Sequence, residues 1–159
     1  MTDLRVGIGY DAHALEDGVP LVLGGVPVEY PRGLAGHSDG DVISHALIDA
    51  ILGAANLGDI GSLFPSGDEQ YRGASSLDLL WEAYREVREA GWELVNADCV
   101  LVGEEPRIGD VRGEMCERLA GALGVEPIRV TVRATTTDGL GFTGRGEGLA
   151  AQAVALLRR

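Results

Sequence analysis

Residues Ile128–Gly148 read IRVTVRATTTDGLGFTGRGEG. The first half alternates without a break. Ile128, Val130, Val132 and Ala134 fall on one face of a strand, and Arg129, Thr131, Arg133 and Thr135 on the other. A strand covered by helices on both sides would be apolar throughout. This one predicts a sheet with helices on one face only. Its second face turns to solvent or to another subunit.

The second half contains G-x-G-x-x-G at Gly139, Gly141 and Gly144. A dinucleotide fingerprint needs a second strand and an acidic residue about 20 residues further on. The 15 residues after Gly144 leave no space for them. A phosphate loop of the G-K-[ST] kind is also excluded, because all 13 basic residues are Arg. What remains is a polar loop with the hydroxyls of Thr135, Thr136 and Thr137, the Asp138 carboxylate and Arg145. Its backbone N–H groups suit phosphate oxygens, and a plain connector is the alternative reading.

On either side of this segment, strands and helices follow without a linker or repeat. Leu4–Tyr10 reads as a strand ending at Asp11, and Leu21–Val28 as a hairpin with a Gly-Gly turn. Ser38-x-x-Asp41 starts a helix from about Asp39 to Asn56. Leu57–Asp68 is a loop, Ser75–Ala90 a helix, Trp92–Gly103 a strand and Ile108–Leu123 a helix closed by Gly124. Gly146–Leu157 reads as a last helix. The expected fold is α/β of the α+β type, a single domain over residues 1–159. Its mixed, mainly four-stranded sheet carries helices on one face.

The net charge of -12 argues against nucleic acid and anionic membranes, which need a basic face. No apolar stretch is long enough to span a bilayer, and MTDLRVGIGY lacks the pattern of a signal peptide. Cys99 and Cys116 have no C-x-x-C spacing and read as buried, inert thiols in a reducing compartment.

Asp11-Ala-His13 places two ligand-type side chains on one face of a strand end. His45 lies mid-helix, with Asp41 and Asp49 one turn away on either side. A carboxylate beside a ligating imidazole fixes its tautomer. Asp11, His13 and His45 suit Zn²⁺ with a fourth position open, or Mn²⁺. A solvated strand end and a hydrogen-bonded helix histidine are the plainer readings of the same residues. His37, the third and last histidine, precedes S-D-G-D at a helix N-terminus, a place suited to an anion.

Taken together, the motifs resemble the 2-C-methyl-D-erythritol 2,4-cyclodiphosphate synthases over nearly the whole chain. They are G-Y-D-A-H at 9–13, H-S-D-G-D at 37–41, H-A-L-I-D at 45–49, L-G-D-I-G at 57–61, F-P at 64–65, E-P-R at 105–107, A-T-T-T at 134–137 and G-F-T-G-R-G-E-G at 141–148. The resemblance implies conversion of 4-diphosphocytidyl-2-C-methyl-D-erythritol 2-phosphate to a cyclic diphosphate and CMP. It also implies a homotrimer in the bacterial cytoplasm, with active sites between subunits and the open sheet face toward trimer partners.

By the same resemblance, Asp11, His13 and His45 hold a Zn- or Mn-type ion. His37 and Thr136 stabilise the transition state. Ser38, Asp59, Ile60 and Gly61 hold the sugar-like part, with Phe64, Pro65 and Asp68 beside them. Glu104, Pro106, Arg107, Ile108, Gly109, Ala134, Thr135 and Thr137 belong to the cytidine and phosphate region. Asp138 matches the ligand of a second ion, Mg or Mn. Phe142, Arg145 and Glu147 match a channel along the trimer axis that accepts isoprenoid diphosphates. The chain departs from the family at Asp138, commonly Glu, at Gly139, commonly Lys, and at Ser66-Gly67-Asp68, commonly D-T-D. Arg107 stands where Lys is frequent. Two other classes fit these residues: a hydrolase of nucleotide diphosphates, and a non-catalytic binder of isoprenoid diphosphates.

Overall fold

The structure, a computed structural model, describes Met1 to Arg159. Strand β1 (Leu4–Asp17) runs well past the expected end at Tyr10. The polar D-x-H hid the continuation, but the ladder goes on through it, with Asp11 opposite Ala151 and His13 opposite Leu149. Next come β2 (Leu21–Leu23) and β3 (Val26–Val28), the expected hairpin. Gly24 and Gly25 turn it with φ of 57° and 76°, both positive as a two-residue hairpin turn requires. A short strand, β4 (Arg32–Leu34), precedes helix α1 (Val42–Ala54) and the single turn α2 (Ile60–Leu63). Then follow α3 (Ser76–Glu89), β5 (Glu93–Val102), α4 (Arg112–Leu123), β6 (Val130–Thr135), the turn α5 (Gly141–Gly144) and β7 (Gly148–Arg158).

The sheet order is β4-β1-β7-β5-β6, antiparallel except for the pair β5–β6, which α4 connects. The mixed sheet is thus as expected, with β4 as a short fifth strand at its edge. The expected loop Leu57–Asp68 contains the helical turn α2. The expected last helix is overturned: Gly146–Leu157 is not helical, and from Gly148 onward it is the central strand β7. Its alanines favour a helix in isolation. Here Leu149, Ala151, Ala153, Ala155 and Leu157 alternate toward the core, while Gln152 and Val154 face outward. Burial between two partner strands and beneath a helix outweighs the local preference.

Helices α1, α3 and α4 share one face of the sheet, as Ile128–Thr136 predicted. Helix α1 is central: eleven of its thirteen residues are buried. It lies unusually close to β1, because Gly7 and Gly9 face it. A Cβ on either glycine would enter the space of the Ala50 or Ala46 carbonyl oxygen. The small residues of β1 and β7 therefore set the depth of α1, and with it the height of His45 above the sheet. The opposite sheet face is open. Beside the expected Thr131 and Arg133 it exposes an apolar row, Val6, Ile8 and Tyr10, that the sequence reading had not singled out. No helix is long and apolar enough to cross a membrane.

Candidate active site

Strand β1 brings Asp11 and His13 to the helix-covered face. Helix α1 begins at Asp41, whose carboxylate accepts from the Ser44 N–H. His45 is therefore in the first turn of the helix and not in its middle. There it meets β1: Asp11 Oδ2 lies 2.8 Å from His13 Nε2 and 3.0 Å from His45 Nδ1, and the two nitrogens are 3.2 Å apart. Ligands at roughly 2.0–2.1 Å from a tetrahedral Zn²⁺ stand roughly 3.3 Å from one another. The triangle has nearly that size. Its donors, two imidazole nitrogens and one carboxylate oxygen, are a borderline set suited to Zn²⁺ or Mn²⁺. Each imidazole nitrogen presents a lone pair when its ring's proton is on the other nitrogen, and the three atoms then suit a cation between them. Burial pushes the Asp11 carboxyl up, but His13 and His45 outweigh it and hold it down at about 2. The hydrogen bond to Asp11 raises His13 against the effect of burial.

The triad opens into a cavity of about 410 Å³ that also takes in His37, Ser38, Ile60, Gly61, Phe64 and Pro65. His37 Nε2 donates to the Asp68 carbonyl at 2.8 Å. Asp68 thus contributes through its backbone, while its side chain accepts from Gln70 N. Asp59 caps α2 and is exposed; Ser62 N donates to it at 2.8 Å. A second cavity, of about 450 Å³, gathers Glu104, Pro106, Arg107, Ile108, Gly109, Ala134, Thr135 and Thr136 at the ends of β5 and β6. The two cavities share no residue. Leu101 of β5 and Leu149 of β7 line the second cavity as well, and Leu149 is the ladder partner of His13. Three strand spacings separate β1 from β6, roughly 14 Å.

The polar loop after β6 closes on itself. The Glu104 carboxylate accepts from the N–H groups of Thr137 and Gly139, at 3.4 and 3.1 Å. Asp138 takes a left-handed conformation with φ of 52° and accepts from the Thr136 hydroxyl at 3.2 Å. Thr137 Oγ1 donates to the Leu140 carbonyl. Phe142 is half-exposed, and Arg145 pairs with Glu147 at 3.0 Å on the surface.

One positional expectation is corrected. Neither Asp41 nor Asp49 touches the His45 ring. The Asp41 carboxylate accepts from Gly24 N, Gly25 N and Ser44, fastening the β2–β3 hairpin to α1. Asp49 accepts from Ile60 N at 2.7 Å and holds α2. Two residues that sequence reasoning passed over, Asp39 and Ser76, come closer to the ring. Asp39 lay in view inside H-S-D-G-D. Ser76 gave no signal, because its partner is 37 positions away.

Known proteins are similar to this chain over almost all of its length. The chain is 58% identical over 154 residues to the 2-C-methyl-D-erythritol 2,4-cyclodiphosphate synthase of Moorella thermoacetica, covering 97% of this chain and 94% of that one. It is 57% identical to the protein of the same name from Rubrobacter xylanophilus, covering 100% and 98%. A solved structure of such a synthase in a CDP-bound form superposes with a TM-score of 0.88 at 40% identity, covering 96% and 99%. The bifunctional IspDF of Campylobacter jejuni gives a TM-score of 0.96 at 43% identity; there this chain covers 43% of a longer protein. The model of the YgbB family matches residues 4–158. A match of this extent, from Leu4 to Arg158, makes the chain a member of the YgbB family.

Proposed function

We propose that the chain converts 4-diphosphocytidyl-2-C-methyl-D-erythritol 2-phosphate into 2-C-methyl-D-erythritol 2,4-cyclodiphosphate and CMP. It would act as a cyclising phosphorus–oxygen lyase of non-mevalonate isoprenoid synthesis, in the bacterial cytoplasm, with residues 1–159 working as one domain. The observation that carries this reading is the convergence of Asp11, His13 and His45 beside a cavity that also holds His37 and Ser38. The names of the close relatives support it.

The nucleophile is the substrate's own 2-phosphate. Its oxygen forms a bond to the β-phosphorus, the bond from that phosphorus to the bridging oxygen breaks, and CMP leaves with the electron pair. No proton has to be taken from the attacking group. The chain therefore needs no Ser–His–Asp arrangement and contributes positioning and charge stabilisation. A well-oriented intramolecular attack removes roughly 7–11 kcal/mol of barrier. A Zn²⁺ or Mn²⁺ at the triad, with Mg²⁺ or Mn²⁺ at Asp138, supplies Lewis-acid polarisation of the phosphates when bound. His37, held by the Asp68 carbonyl, lines the same cavity as the triad and would meet the substrate's phosphate there. Thr136 lines the second cavity and would offer its hydroxyl at the other end of the substrate.

The triad lines one cavity and the cytidine-type residues line another, with no residue in common, which supports a site shared between chains. The triad cavity of one subunit would face the cytidine cavity of a neighbour, in a homotrimer joined through the open sheet face. Phe142 and Arg145 would then line an axial channel for isoprenoid diphosphates. The test is ³¹P NMR of the diphosphocytidyl substrate with protein, then with EDTA, then with Zn²⁺ and Mg²⁺ restored. Cyclic diphosphate and CMP that disappear on chelation and return with metal are expected. An open-chain phosphate product would overturn the reading in favour of a hydrolase.

A further inference from the structure

His45 Nε2 points away from the triad, toward two hydroxyls: Ser76 Oγ at 2.8 Å and Ser38 Oγ at 3.0 Å. Ser38 is on the cavity wall. Ser76, the first residue of α3, is fully buried. Its hydroxyl also contacts Asp39 Oδ1, and its N–H donates to Asp39 Oδ2 at 3.0 Å. Asp39 is itself held in place. Its Oδ1 accepts from Asp41 N at 3.1 Å, and its own N–H donates to the Ala74 carbonyl at 3.1 Å.

The donor and acceptor roles then follow in order. A carboxylate accepts and does not donate, so the Ser76 proton points at Asp39. The Ser76 oxygen can therefore only accept from His45. The proton of the neutral ring belongs on Nε2, and Nδ1 turns its lone pair toward Asp11 and His13. Were the proton on Nδ1, it would point into the triad and exclude a cation. We propose that Asp39 and Ser76 form a relay that fixes His45 as its Nε2–H tautomer and so tunes the affinity of the triad for its ion. These are positioning residues, acting through His45 across the junction of α1 and α3. They occupy the role that Asp41 and Asp49 are too far committed elsewhere to fill.

The inference rests on the triad being a metal centre, and the test separates the two. Zinc affinity is measured on the zinc-loaded full chain by chelator competition. Ser76→Ala, which keeps a good helix former at this position and removes only the hydroxyl, should weaken it about 10- to 100-fold. Asp39→Asn should move it in the same direction. The double variant should lose no more than the worse single one, because both act along one path. Nitrogen-resolved NMR of the His45 ring in the chelated full chain reads the tautomer directly. It should show the proton on Nε2 in the parent and a mixture in Ser76→Ala. Parental affinity in both variants overturns the relay alone, and so does weakened affinity with an unchanged tautomer. A parent protein that holds no zinc overturns the metal centre and the relay together.

Discussion

His45 is the one member of the triad that comes from a helix, and it holds the triad to the core. Removing its ring leaves Asp11 and His13, two ligands on one strand. His45→Ala is expected to lose bound zinc in metal analysis and to lose turnover with it; full zinc content with parental rate would remove the assignment. Cys99 makes a prediction of a different kind. Burial pushes its thiol up to about 12 from 9.0. The unfolded thiol therefore gives up its proton first. Between those values the unfolded state binds fewer protons than the native one, and stability falls as pH rises. Chemical denaturation above pH 9 should show the unfolding equilibrium shifting up to roughly tenfold per pH unit, an effect that Cys99→Ala reduces. A pH-independent midpoint in this range would mean that the thiol is not protected. Cys116, expected to be buried too, is only half-buried, whereas the buried thiol at Cys99 was legible from its place in a β-like run. The carboxylate that orients His45 was not. Spacing along a helix points to Asp41 and Asp49, and the residue that serves is Asp39, reached through a serine from another element.

Helix α1 and strand β1 form the site by lying close together. Gly9 makes that contact, since any side chain there meets the Ala46 carbonyl. Gly9→Ala is expected to cost roughly 1–3 kcal/mol, as overpacking does, and to push His45 away from Asp11. Both a lower midpoint in thermal unfolding and weaker zinc binding should follow. Gly53→Ala is the control on the same helix, because no atom stands within 4 Å of its added Cβ; it should be neutral or stabilising. If Gly9→Ala binds zinc like the parent, the depth of α1 does not set the triad. The same packing explains why the last element was misread from sequence. Leu149–Leu157 carries two patterns at once, alanines that favour a helix and an alternation that favours a strand. A central strand beneath a close helix needs small side chains, so the alanines that suggested a helix are there to admit α1. By contrast the strand inside Ile128–Thr136 could be read without knowledge of its neighbours, since Val130 and Val132 are buried and Thr131 and Arg133 exposed. But β6 starts only at Val130, and Ile128 and Ala134, expected on the covered face, are exposed.

The molecule presents an open sheet face with Val6, Ile8 and Tyr10 exposed at 70%, 68% and 53%, next to Val154 at 44%. Contiguous apolar surface of this kind marks an association site. Arg133, paired with Asp98 at 2.9 Å, adds a polar margin on the same face. Any self-association must bring together chains of net charge -12. Long-range repulsion then opposes it, and salt should strengthen it. A charge at Ile8 tests the proposed trimer without touching the triad. Ile8 is exposed in the single chain, so Ile8→Glu should leave its fold intact, while a buried carboxylate in an interface would be costly. Light scattering should therefore show a trimer for the parent and a monomer for Ile8→Glu. Because Asp11, His13 and His45 all belong to one chain, the monomer should keep its zinc. Because the cytidine cavity would come from a neighbour, the monomer should lose turnover. A zinc-bound monomer without activity is the result that a shared site requires. A monomer that cyclises its substrate at the parental rate would place both cavities in the service of one chain, and the substrate itself would then reach from the triad at β1 to Ala134–Thr136 at the end of β6, three strand spacings or roughly 14 Å away.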